Sequence, residues 1–167
     1  MFHPILFATA IGLFFVGPLH ADLQVRFIEG APKDRFVLKN VGACDIRDTT
    51  VSIDLSTSAG QLIFDVSEAG AGVEVFQPLE LVGGANALRE SPVVVDGQNA
   101  IDLEIKSLAS GEKLAFTIDV DDTVGQREIT VSGSEMLGAI VSLTSAVESN
   151  TAVFSTDAKA NVTMAGC

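Results

Sequence analysis

The stretch LAFTIDVDD, residues 114–122, decides how this chain reads. Leu114, Phe116, Ile118 and Val120 alternate with Ala115, Thr117, Asp119 and Asp121. A period of two puts one face of a strand in a core and the other in solvent, which is the pattern of antiparallel sheet. The same alternation recurs at Leu23, Val25 and Phe27, at Val51, Ile53 and Leu55, and at Ile101, Leu103 and Ile105. Shorter apolar runs predict strands near 36–38, 62–66, 73–76, 79–82, 93–95, 129–131, 139–143, 152–154 and 161–164. Gly and Asp-Gly punctuation separates them, including Gly70 to Gly72, Gly83-Gly84, Asp96-Gly97 and Ser110-Gly111. Residues 85–90 have room for one turn of helix. The expected fold is all-β, a single antiparallel two-sheet β-sandwich of immunoglobulin-like or jelly-roll-like type. The polar segment 144–160 reads as a looser periphery, with an edge strand as the alternative.

Ahead of these strands lies a segment of different character. Residues 1–21 contain no Lys, Arg, Asp or Glu, and 5–16 are nearly all apolar. That run is shorter than the roughly 20 apolar residues a membrane-crossing helix needs. Gly17-Pro18 ends it, and Leu19-His20-Ala21 places a small residue before Asp22. This is the layout of a secretory signal peptide over 1–21, with cleavage ahead of Asp22. A buried N-terminal helix or an uncleaved anchor is the alternative. The expectation is therefore an exported β-domain over 22–167, periplasmic, on the cell surface or extracellular, with no membrane span in the mature chain.

All 10 Lys and Arg and all 22 Asp and Glu fall after this segment, so the net charge of -12 belongs to the domain. Such a surface repels phosphate backbones, and nucleic acid is excluded as a partner. Both histidines, His3 and His20, lie in the leader, and the chain has no Trp or Tyr. Without imidazole, the His-dependent nucleophilic mechanisms and most catalytic zinc sites are closed to the mature domain. Oxygen-seeking cations such as calcium remain as guests. Cys44 and Cys167 are the two cysteines, and in an exported chain they most simply form one disulfide.

Asp119, Asp121 and Asp122 stand at the end of the strand quoted above, where three carboxylates converge on one rim. Hard cations take several oxygen ligands, and this cluster offers them. Turn formation, with the carboxylates accepting backbone N–H groups, is the competing reading. Asp65, Glu68 and Glu74 flank the glycine pair Gly70 and Gly72. This loop lacks the Lys and following helix of a phosphate cradle and reads as a structural turn. If it folds over the same rim, Asp65 and Glu74 join the metal site. Asn161-Val162-Thr163 is a glycosylation-type tripeptide that carries little information by itself.

Four stretches, LQVRFIEGAPKDRF (23–36), LIFDV (62–66), GAGVEVFQP (70–78) and FTIDVDDT (116–123), give the chain a resemblance to a known group. It resembles small exported bacterial proteins labelled "aggregation factor core", over residues 22 to about 141. The resemblance implies an exported, adhesion-like, calcium-dependent β-sandwich. Its calcium role would fall on Asp119, Asp121 and Asp122, and it brings no catalytic residues. The expected function is thus a non-catalytic adhesion or binding module for a glycan or protein partner. The alternatives are a glycan hydrolase using Asp65, Glu74 and Asp119 as acid and base, and a subunit of a larger surface assembly. The former suits this chain poorly. Of its 10 Phe, four (Phe2, Phe7, Phe14 and Phe15) are in the leader, and there is no Tyr or Trp to line a sugar cleft.

Overall fold

A computed structural model describes residues 20–68, 76–124 and 130–165. Among the described residues eleven strands run in chain order: β1 (His20–Ile28), β2 (Asp34–Asn40), β3 (Ile46–Asp54), β4 (Ile63–Phe64), β5 (Glu80–Gly83), β6 (Ala100–Leu108), β7 (Lys113–Ile118), β8 (Val120–Asp121), β9 (Ile140–Thr144), β10 (Ser149–Val153) and β11 (Lys159–Ala165). One sheet has the order β11-β1-β2-β7-β5, and the other β10-β9-β3-β6. Every strand pairing within each of these sheets is antiparallel. The two sheets face each other as a β-sandwich. No helix among the described residues is long and apolar enough to cross a membrane.

The period of two read from the sequence is what fills the core. Leu23, Val25 and Phe27 of β1, Phe36 and Leu38 of β2, Val51 and Ile53 of β3, and Ile101, Leu103 and Ile105 of β6 are all buried. Burying a side chain of this kind contributes about 1.5 to 3 kcal/mol. Phe36 is the aromatic centre, stacked on Phe116 at 5.1 Å and meeting Phe27 edge-on at 5.3 Å. Phe64 reaches the same group from β4, with its ring 6.5 Å from that of Phe36. Asn40 is buried but satisfied. Its amide donates to the Cys44 and Leu108 carbonyls, and its oxygen accepts the Gly42 N–H.

Several expectations shift. The segment read as looser, 144–160, carries the edge strand β10, with Ser149 paired to Thr144 and Val153 to Ile140. Residues 93–95 lie in no strand, with Val93 and Val95 exposed. Leu88 bridges Ile105 and the Arg89 N–H bonds the Glu104 carbonyl. Pro92 has no N–H to continue that ladder. Thr130 and Val131 lie outside any strand. The expected strand at 73–76 falls almost wholly outside the described residues. The helical turn expected within 85–90 is a 3-10 turn at Ala85–Ala87.

The largest departure is in the deciding stretch itself. Alternation assigned Asp119 and Asp121 to a solvent face, yet every residue from Phe116 to Asp122 is buried. β7 ends at Ile118, and β8 leaves the large sheet to pair with β4 as a separate two-strand ribbon, Ile63 against Asp121 and Phe64 against Val120. The outer face of the stretch is thereby covered.

Candidate metal centre

The ribbon makes the site. Phe64, anchored in the core, fixes the direction of β4, and Asp65 follows it directly. Three backbone bonds then stitch the rim: Asp65 N–H to the Asp119 carbonyl at 3.1 Å, Gln77 N–H to the Asp65 carbonyl at 3.2 Å, and Asp119 N–H to the Gln77 carbonyl at 3.2 Å. The Asp96-Gly97 turn closes it from another side. Gly97 adopts a φ of 75°, the left-handed region that favours glycine. Its N–H donates to the Phe64 carbonyl at 2.9 Å. The Asp96 carboxylate accepts the Val66 and Ser67 N–H groups at 2.9 and 3.0 Å.

Within this frame Asp65, Asp119 and Asp121 converge. One carboxylate oxygen from each lies within 4.8 Å of the others. A single cation with oxygen ligands at about 2.3 to 2.6 Å bridges such separations. The carboxylates are 1 %, 6 % and 1 % exposed. Neither oxygen of Asp65 accepts a hydrogen bond from any N–H or O–H among the described residues. The four ion pairs among the described residues, Lys33–Glu80, Arg47–Asp45, Arg89–Asp48 and Lys159–Asp157, all lie on other carboxylates. A buried carboxylate that meets no donor, as at Asp65 among the described residues, is costly, and a metal ion reduces that cost. The triad is a group that can hold a metal ion.

The electrostatics carry the same message. Burial pushes the Asp65 carboxyl up to about 7, helped by the neighbouring Asp96 and Asp121 carboxyls. Asp119 also rises to about 7, first through burial and then through Asp121 and Asp65. Asp34, at the start of β2, rises to about 7 through burial, opposed by the Gly30 N–H and reinforced by Asp119 and Asp121. The Gly30 N–H meets its Oδ1 at 3.0 Å.

Of the five residues expected to hold metal, three are brought together. Asp122 is buried close by, with an oxygen that meets no donor among the described residues, but it stands outside the group of three. Asp122 follows the end of β8 at Asp121 and lies outside the ribbon. Glu74 lies outside the described residues. Asp34 and Asp96 are the neighbours that the sequence reading missed. Asp34 sits opposite Ile118 across the β2–β7 ladder, a register that no local pattern reveals. In the sequence Asp96 stands out only as half of an Asp-Gly turn signal. Cys44 is buried in the β2–β3 connection, while Cys167 lies outside the described residues. Compared with known proteins, the chain matches no family model, no curated protein and no solved structure.

Proposed function

We propose that this protein is an exported, non-catalytic adhesion or binding module for a glycan or protein partner, with calcium held by Asp65, Asp119 and Asp121. The buried carboxylate triad, in which both oxygens of Asp65 meet no donor among the described residues, carries the reading. All its ligand atoms are oxygens, which suit calcium rather than a thiolate- or imidazole-seeking metal. The resemblance to the "aggregation factor core" group supports the adhesion role, and the apolar leader over 1–21 supports export. A Cys44–Cys167 disulfide belongs to the same picture. The Val41 N–H, three residues before Cys44, donates to the Asp22 carbonyl at 2.8 Å, and Asp22 pairs with Thr163, four positions before Cys167.

The hydrolase alternative is weakened by the burial that favours metal. A general acid or base must meet its substrate, whereas Asp65 and Asp119 are 1 % and 6 % exposed. Titration calorimetry of chelator-stripped protein with calcium, and separately with magnesium, tests the metal reading. Saturable calcium binding at millimolar concentration or below supports it, within the range of extracellular calcium sites. No heat and no thermal shift up to several millimolar would leave the cluster as turn structure. Turnover on a panel of glycosides, lost in Asp119→Asn, would overturn the non-catalytic role.

A further inference from the structure

We infer that the cation acts as a local latch, ordering the β4–β8 rim while the two large sheets stand without it. The inference rests on the assignment of Asp65, Asp119 and Asp121 as cation ligands. The carboxylates are unevenly placed in the fold. β4 and β8 have two residues each and share two Cα pairs. By contrast, β3 and β6 are matched from Ile46–Leu108 to Asp54–Ala100, and β1 and β2 from Leu23–Asn40 to Ile28–Arg35. No other group of three or more metal-ligating side chains is found among the described residues. The repulsion of the triad therefore falls on the ribbon least able to resist it.

The ligands are also joined to one another through backbone. Asp65 donates its N–H to the Asp119 carbonyl and the two are linked again through Gln77, while Thr123, two residues past Asp121, donates its N–H to the Gly60 carbonyl and its hydroxyl to the Gln61 carbonyl. Asp65 contributes the independent mark of a ligand position: it is 1 % exposed with both oxygens lacking a donor among the described residues. Among the described residues, the backbone bonds that hold this rim, these together with Phe64 N–H to the Gln98 carbonyl and Gly97 N–H to the Phe64 carbonyl, are few beside the β3–β6 and β1–β2 ladders. Opening the rim also frees the Val66 and Ser67 amides, because Asp96, which holds them, stands beside Asp65. With the ion, opening has to surrender the ligand, so protection rises with calcium as for any binding-coupled local unfolding.

Hydrogen exchange read by mass spectrometry, with calcium and with chelator, tests the latch on the wild-type protein. The expected result is that peptides over 62–67 and 118–123 lose protection on the order of tenfold or more in chelator, while peptides from β1, β2, β3 and β6 keep theirs. Titration calorimetry on the same samples separates the two layers of the argument. If calcium binds but the rim exchanges equally in both conditions, the latch is overturned and the metal assignment stands. If calcium binds and every ladder loses protection together on chelation, the ion stabilises the whole fold, and the local latch is again overturned. If no calcium binds, the assignment falls and takes the latch with it.

Discussion

Asp65→Asn should make the metal-free protein more stable while abolishing its response to calcium, an inversion that follows from the burial of one carboxylate. Asp65 titrates at 3.8 when unperturbed and at about 7 in the fold. Its folded value is raised, so its contribution to stability is fully present below the unfolded value and is lost as pH rises through about 7. At pH 8 the folded carboxyl is ionised against its environment. With each unit worth about 1.4 kcal/mol, the ceiling on the cost is about 4 kcal/mol. Asn at this position carries no charge, and its amide hydrogens can donate to the Asp96 and Asp121 carboxylates. For a domain of this size about 1 kcal/mol moves Tm by roughly 2 to 4 °C. In chelator at pH 8 the variant should therefore melt higher, by up to about 10 °C, and the gap should shrink toward pH 5, where the wild-type carboxyl is protonated in the fold. At 100 times its dissociation constant, calcium adds about 2.7 kcal/mol to the wild type, and the variant should show almost none of this. Differential scanning calorimetry over pH and calcium reads both effects. A variant that melts lower than wild type in chelator at pH 8 would refute the argument that Asp65 is an unrelieved buried charge.

Metal-free wild type should itself lose stability from pH 5 to pH 8, because Asp34, Asp65 and Asp119 all rise to about 7 in the fold; saturating calcium should flatten that slope in the same melting series. Asp121→Asn should remove most of the calcium-dependent Tm increase and leave far-UV circular dichroism unchanged. N-terminal sequencing of exported protein should begin at Asp22 or within about two residues of it, and an intact Met1 would refute the leader. Non-reducing peptide mapping should recover Cys44 linked to Cys167, whereas alkylatable thiols in freshly isolated native protein would count against the bridge. An unstrained bridge over so long a loop is worth roughly 4 to 5 kcal/mol.

The sandwich was legible because its alternation is strict where one face is buried and the other wet. Leu23, Val25 and Phe27, or Ile101, Leu103 and Ile105, admit hardly any other reading. That logic misled where a strand is covered on both sides. Asp119 and Asp121 alternate like surface residues, yet the ribbon with β4 buries them, and polar identity alone gives no warning of it. Pairing Asp65 with the Asp119 cluster was within reach, since both sit at strand ends rich in carboxylates. Asp34 was not, because its place beside Asp119 depends on the β2–β7 register, a contact between distant segments. The run at 93–95, which joins no strand, shows a further limit: three β-branched residues favour a strand, while a ladder also needs a neighbour, and Pro92 interrupts the one at hand.

The pairing of β1 with β11 bears on how such a chain comes to be folded at all. Gln24 and Asn161 share a side-chain hydrogen bond across 137 positions of sequence, and Leu23 lies opposite Val162. A chain that emerges from a ribosome or a secretion channel N-terminus first therefore delivers β1 long before its partner. For most of that passage β1 can find β2 on one side only, and its other edge stays open to strands of neighbouring chains. Closure depends on a contact of high sequence separation, which folds slowly and stays exposed to aggregation while it waits. Loss of β11 would leave the early strand in that unguarded condition permanently, so a nonsense mutation late in the gene should cause aggregation rather than yield a slightly shorter, working domain.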